Sequence, residues 1–264
     1  MTTQIPTDHR YKQTVSRRFS QAVDTYDQHN LLQQEVLKLL LPLLPTSPRG
    51  LWLDLGCGTG ESTRLLSQQL SQKQIIAADL SPAMLMKTRE KLPVSTVCAD
   101  AEALPFAEKA FAGIWSSLAI QWCLQRHQLF NELYRVLSAE GELVISTLLE
   151  GSLEQFDQGW RQVDGSVHHN RYPSAALLET ELMAAGFTQV RVLQQPLTLY
   201  FTTLTALTDS LRKVGASTLS DVPQAQFAKS KWRAFSQFYE SLRCPDGLPL
   251  TYQVGFIYAK KRNL

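Results

Sequence analysis

The chain has 264 residues, of which 44% are hydrophobic and 19% charged, enough apolar material for one sizeable core and far from a disordered composition. A net charge of +2 with no dense basic stripe and no Asn-Pro-Pro-Tyr-like run speaks against nucleic acid as a partner. The polar start, without an apolar run of membrane-spanning length, predicts a cytoplasmic protein with neither signal peptide nor anchor.

Cys57, Cys98, Cys123 and Cys244 are widely spaced without a CxxC pair, which argues against a zinc site or disulfide framework. Three of them fall in apolar strand-like or turn segments, where buried thiols are expected.

Between residues 14 and 41, Val15, Phe19, Ala22, Val23, Tyr26, Leu31, Leu32, Val36, Leu39 and Leu40 recur at spacings of three and four. This predicts two amphipathic helices broken between Asp27 and Asn30, together forming an N-terminal arm over residues 1–48. In a doubly wound fold such an arm can lie across the carboxyl ends of the strands as a lid. Phe19, Tyr26 and Arg17 or Arg18 would then reach the ligand; the alternative is that Phe19 and Tyr26 staple the arm to the core.

Leu51 to Leu55 reads as a first strand buried on both faces, and Gly56, Gly58 and Gly60 then leave a bare-backbone turn before a helix over Glu61 to Gln69. The free N–H groups of that helix start favour an anion or a polar ligand head. A dinucleotide fingerprint would need a third glycine where Glu61 stands. A carboxylate there repels a pyrophosphate but tolerates a ligand carrying a sulfonium and an ammonium.

Gln74 to Leu80 is the second strand, with Asp79 near its end and Ser81-Pro82 as a helix start before Ala83 to Lys91. Met84 or Leu85 of that helix offers a soft apolar side chain suited to a flat ring. Val94 to Asp100 is the third strand, leaving the Asp100 carboxylate as a hydrogen-bond acceptor and the Ala101 N–H as a donor at its end. Ala110 to Ser117 is the fourth strand, and the loop from Ser116 to Trp122 follows at its carboxyl end. A helix over Arg126 to Leu137 and a fifth strand over Gly141 to Leu148 complete a parallel sheet of order 3-2-1-4-5.

Beyond residue 148, Glu150 to Tyr172 is polar and aromatic, Pro173 to Gly186 is helical, and Phe187 to Phe201 is a long strand interrupted at Pro196. Residues 202–243 are helical and carry a net charge of +3, an insertion before a last strand at Leu250 to Lys260. The expected organisation is a single domain: the arm, a cofactor-binding core over 49–148, and an acceptor-side half over 149–264.

The run Asp54-Leu55-Gly56-Cys57-Gly58-Thr59-Gly60, with Asp79 following, resembles the cofactor loop of class I S-adenosylmethionine-dependent methyltransferases. The resemblance implies an α/β Rossmann-like fold: a mostly parallel seven-stranded sheet with helices on both faces. It also implies S-adenosylmethionine as methyl donor, with Asp79 on the ribose hydroxyls. The expected cofactor contacts are Asp54, Gly56, Gly58, Gly60, Asp79, Leu80, Met84, Asp100, Ala101 and Ser116.

More of the chain takes part in a narrower likeness. RRFSQAVDTYDQHNLLQ, SSLAIQWC, ELYRVL, STLLEGSLEQF, HHNRYPS, LRKVGAS and PLTYQVGFIYAKK together resemble the malonyl-acyl-carrier-protein O-methyltransferases of biotin synthesis. Such an enzyme methylates the free carboxylate of malonyl-acyl-carrier protein, or of malonyl-CoA, toward pimelate. That acceptor is already ionised at neutral pH and needs no general base. The site must align oxygen, methyl and sulfur, and partly desolvate the carboxylate. His9, His29, His127, His168 and His169 form no triad or metal-like pattern, so no metal is expected.

Arg171 is the candidate clamp for the carboxylate, since a guanidinium can grip both oxygens. Phe19 and Tyr26 are candidates for positioning lid and acceptor, and Lys213, Lys229, Lys231 and Arg233 for meeting an acidic carrier. Three other readings share the core: a trans-aconitate-like carboxylate methyltransferase, a quinone or phenol methyltransferase, and a non-catalytic S-adenosylmethionine-binding protein.

Overall fold

The computed structural model describes residues 8–165, 171–213 and 229–262. Five strands run parallel: β1 (Trp52–Leu55), β2 (Ile75–Asp79), β3 (Ser95–Cys98), β4 (Phe111–Ser117) and β5 (Leu137–Leu148). Two more follow, β6 (Phe187–Phe201) and β7 (Leu248–Lys261), and β7 lies antiparallel between β5 and β6. The sheet order is β3-β2-β1-β4-β5-β7-β6. The chain winds outward from β1 to β3 and then resumes on the other side at β4, which opens a crevice at the carboxyl ends of β1 and β4.

Alternation along the strands divides the core in two. Trp52, Trp115 and Val144 pack on one face with α2 (Leu31–Leu40), whose Leu32, Val36, Leu37 and Leu40 are buried. The same layer continues under α6 (Glu154–Asp164) and α9 (Lys229–Ser241), where Trp160 stacks on Phe235 with ring centroids 4.4 Å apart. Leu53, Ile114 and Ile145 face the other way, toward Leu129, Phe130, Leu133 and Val136 of α5 (Arg126–Val136) and toward Leu178 and Leu182 of α7 (Ala175–Ala184). Each such side chain removed from water contributes roughly 1.5–3 kcal/mol, so both faces of β1 are firmly committed.

Several boundaries differ from the sequence reading. The helix after the glycine turn, α3 (Glu61–Leu66), ends before Gln69. β5 starts directly from α5 at Leu137, with Glu140 at φ 59° inside it, so Gly141 is not its first residue. β6 runs unbroken through Pro196 because it is an edge strand, paired only with β7, where the missing N–H is tolerated. The stretch after Glu150 contains α6, a helix signalled by Leu153, Phe156 and Trp160 but left unassigned from sequence. Of the cysteines only Cys57 is buried; Cys98 is exposed on β3, at the opposite edge of the sheet.

Candidate active site

The turn after β1 folds beneath the end of β2, the N–H groups of Gly56 and Cys57 both donating to Ala78 O at 2.7 and 3.0 Å. Gly56 adopts φ +74°, and a Cβ there would lie 2.2 Å from the Ala119 Cβ, so only glycine lets the turn pass the loop after β4. Gly60, at φ +94°, caps α3 and sits against Thr88 of α4 (Pro82–Lys91), where a Cβ would meet the Thr88 side chain at 3.1 Å.

Asp79 closes the turn from the neighbouring strand. Its Oδ2 accepts from the Gly58 N–H at 2.9 Å and its Oδ1 from the Ser81 N–H at 2.8 Å. Burial pushes its carboxyl up from the ordinary range, while the N–H groups of Ser81, Gly58 and Leu80 oppose that shift. Each oxygen keeps acceptor capacity for a ligand hydroxyl.

The helix α1 (Asp8–His29) lies over this crevice, held mainly by polar ties. Ser16 donates to Leu80 O at 3.0 Å, and the Ser20 and Ser81 hydroxyls meet at 2.8 Å. Asp27 accepts from Thr59 at 2.5 Å and from Lys91 at 2.6 Å. Lys12 pairs with Asp100 at 2.8 Å and with Glu102. Burial works against the Lys12 charge, yet the two carboxylates outweigh it and raise its pKa.

Beneath α1 is a cavity lined by Gly56, Gly58, Asp79, Leu80, Met84, Asp100 and Ala101, with Lys12, Phe19 and Tyr26 from the lid. A second cavity adjoins it. The two share Phe19, Tyr26, Leu118 and Trp122, with the Phe19 and Trp122 rings edge to face at 5.6 Å. Tyr172, Tyr252, Gln121, Gln33, His29 and Ser210 join Tyr26 as the polar residues of the second cavity's described lining, among leucines. The Tyr252 and Tyr172 hydroxyls are both pushed up by burial, and each lies close enough to another tyrosine, Tyr172 beside Tyr252 and Tyr11 beside Tyr172, to add to the shift.

Of the expected cofactor residues, the structure thus gathers Gly56, Gly58, Asp79, Leu80, Met84, Asp100 and Ala101 on one cavity, with Phe19 and Tyr26 on both. Three others stand elsewhere. Asp54 is fully buried and accepts from Ser62 at 3.0 Å and Thr63 at 2.6 Å, fixing the first turn of α3. Ser116 turns under the sheet and donates to Leu55 O at 2.7 Å; its neighbour Ser117 lines the cavity instead. Gly60 serves the packing of α3 on α4.

Arg171, the expected clamp, is exposed on the segment before α7 and lines neither cavity, whereas Tyr172 points into the second. Arg17 is likewise exposed. Glu61 is tied to Arg64 at 2.6 Å and does not line the cavity, and Leu85 packs in the core with Ala77 and Leu92. The adjacent His168 and His169 fall outside the described residues. Lys12, Gln121, Tyr172 and Tyr252 were missed from sequence. Only Tyr252 left a signal there, as an inward position in the alternation of β7.

A doubly wound sheet with a glycine turn after β1 and an acid at the tip of β2 defines a class I methyltransferase, and the family description "methyltransferase domain" matches residues 53–145. The fold is shared with the YcgJ protein of Bacillus subtilis, at TM-score 0.62 and 18% identity over 88% of this chain and all of that one. It is shared too with Haemonchus contortus phosphoethanolamine N-methyltransferase 2 in complex with S-adenosyl-L-methionine, at TM-score 0.61 and 18% identity over all of this chain and 62% of that one. In sequence the chain is 37% identical to the malonyl-[acyl-carrier protein] O-methyltransferase of Marinomonas sp., over 96% of its own length and 95% of the relative's. The enzyme of that name from Herminiimonas arsenicoxydans is 36% identical over 95% and 96%. The bifunctional biotin biosynthesis protein BioHC of Cellvibrio japonicus is 38% identical, with this chain spanning 49% of it. The chain belongs to the malonyl-[acyl-carrier protein] O-methyltransferase family.

Proposed function

We infer that the protein transfers the methyl group of S-adenosylmethionine to the free carboxylate of malonyl-acyl-carrier protein, yielding the methyl ester and S-adenosylhomocysteine in the synthesis of biotin. The observation that carries this reading is the meeting of two cavities at Phe19, Tyr26, Leu118 and Trp122 in a chain with such relatives. One cavity fits the donor, the other an acceptor, and the shared wall is where methyl and carboxylate would face each other.

The first cavity suits the donor part by part. Asp79 accepts from the ribose hydroxyls, Leu80 and Met84 flank the adenine, Asp100 accepts from its amino group, and the Ala101 N–H serves a ring nitrogen. The bare backbone at Gly56 and Gly58 leaves room for the methionine portion. Tyr26 and Phe19, carried by α1, close over both partners and exclude water. An ionised carboxylate needs no proton removed, so alignment and desolvation are what the residues supply.

The pantetheine arm of the carrier would enter past Ser210 and Leu211, beside Arg212 and Lys213 at the end of α8 (Leu204–Lys213). With Lys229, Lys231 and Arg233 of α9 these give an acidic carrier a basic face. The reaction belongs to the cytoplasm, where carrier-bound malonate is made; no helix among the described residues is long and apolar enough to cross a membrane.

The neutral aromatic lining of the second cavity also suits a phenol or quinol acceptor. The deciding assay is methyl transfer to malonyl-acyl-carrier protein, with product mass detection, beside a quinol precursor and trans-aconitate. Methyl malonyl thioester as main product is expected; preference for either other acceptor overturns the reading.

A further inference from the structure

The second cavity contains no lysine or arginine. Every lysine and arginine of the chain lies among the described residues, and none lines it. Arg171 is exposed beyond its wall, and Lys12, across the shared wall, is already engaged by Asp100 and Glu102. Besides His29, what the described lining offers an anion is uncharged: Tyr26, Tyr172 and Tyr252. It also presents Gln121 Oε1, a buried acceptor with no donor, whose amide nitrogen is spent on Leu118 O at 2.7 Å. A carboxylate entering this apolar space would lose its water without meeting a lysine or arginine, an unfavourable exchange.

We infer that this cavity borrows its positive charge from the bound donor, so that acceptor carboxylates bind tightly only when the first cavity holds a cationic sulfur or its charged equivalent. The inference rests on the proposed methyl transfer to a malonyl carboxylate and specifies how the acceptor is recognised.

The geometry supports it. The shared wall of Phe19, Tyr26, Leu118 and Trp122 sets donor and acceptor side by side against a largely apolar lining, where opposite charges attract more strongly than in open solution. In the transfer, a carboxylate oxygen lone pair forms the new O–CH3 bond as the S–CH3 bond breaks and its electron pair goes to sulfur. A neutral ester and a neutral thioether result, and no proton moves. The attraction that assembles the reactants therefore vanishes in the products, which favours release of the ester. A fixed arginine would have kept its hold on unreacted malonyl and quenched the nucleophile. A free diacid with a second charge finds no partner in this cavity, which favours thioesters over malonate.

The test is titration calorimetry of malonyl-pantetheine onto the full-length protein saturated with one of two non-transferring nucleosides. Sinefungin carries an ammonium in place of the methylsulfonium, and S-adenosylhomocysteine carries a neutral sulfur. Malonyl-pantetheine should bind at least tenfold tighter with sinefungin, while its methyl ester should bind equally with both. Equal affinity of malonyl-pantetheine for the two complexes would overturn the inference while leaving the substrate assignment standing, and would assign the charge to the protein, with His29 the lining group to blame. No binding to either complex, together with no turnover of malonyl thioesters, would overturn the substrate assignment and the inference with it.

Discussion

Lys12 on α1 reaches Asp100 beyond β3, Nζ to Oδ2 2.8 Å, across 88 positions of sequence. The same ammonium pairs with Glu102, whose side chain is fully buried. One lysine therefore fastens the lid to the segment that would read the adenine, and it leaves Asp100 oriented by its other oxygen, which accepts from the Glu102 N–H at 3.0 Å.

Removing that charge strands two neighbouring carboxylates in a poorly hydrated place, a situation more damaging than the pair itself is stabilising. Lys12→Met should weaken S-adenosylmethionine binding about tenfold, or ~1.4 kcal/mol, and render α1 sensitive to limited proteolysis. Lys12→Arg should restore most of the affinity. Unaltered calorimetric affinity with a protease-resistant α1 would show that the pair does not hold the lid.

Asp79 links cofactor and turn more directly. It fixes Gly58 through the 2.9 Å bond, and its remaining lone pairs would receive the sugar hydroxyls. Hydrogen bonds to a charged group are worth about 1.5–3 kcal/mol, so Asp79→Ala should raise the donor Kd by at least tenfold, with kcat at saturating donor changed much less. Tryptophan-fluorescence titration and initial rates would separate the two; a Kd near that of the unaltered protein would remove Asp79 from the sugar.

The parts of this arrangement that sequence revealed are those written in short-range code. A both-faces-buried run such as Trp52 to Leu55 can only be an interior strand, and glycines at alternating positions after it mark the turn. Asp79 follows from the same logic at the next strand end. Direction of a side chain was harder. Asp54, Glu61 and Ser116 stand at the right places in the chain, but the first turn of α3 and the sheet itself rotate them to Thr63, Arg64 and Leu55. The acceptor cavity was least legible because Gln121, Tyr172 and Tyr252 come from a turn, a coil and the last strand, and no local pattern joins them. Charge complementarity and the position of its segment after the fifth strand pointed to Arg171, one position from Tyr172, which lines the cavity.

Asp54 makes a separate prediction about pH. Burial pushes its carboxyl up to about 7, against the opposing hydrogen bonds of Thr63 and Ser62 and with a further push from Asp79. In the unfolded chain it titrates at the ordinary value of 3.8. Between these two values the native state holds a proton that the unfolded state has lost, so stability falls as pH rises through that window and levels off above it. The slope is about 1.4 kcal/mol per pH unit for one proton. Asp54→Asn, which keeps the shape and can bond both hydroxyls, should flatten this fall in urea denaturation series taken from pH 4 to 8. A slope identical to that of the unaltered protein would mean that Asp54 is ionised throughout.

The acceptor cavity separates two side chains that sequence did not distinguish. Tyr252 is buried on β7 and lines the second cavity, and Arg171 is exposed outside it. If neutral hydroxyls orient the carboxylate, Tyr252→Phe removes one donor and nothing of the packing, a loss of about 0.5–1.5 kcal/mol. The KM for malonyl thioester should rise roughly three- to tenfold by that amount, with donor Kd unchanged. Arg171→Ala should leave kcat/KM for a small malonyl thioester within about twofold, since an exposed cation adds little through water. Steady-state kinetics with malonyl-pantetheine measure both variants side by side. The opposite pattern, a silent Tyr252→Phe and a strongly impaired Arg171→Ala, would return the clamp to the guanidinium and require the segment before α7 to fold over the cavity during turnover.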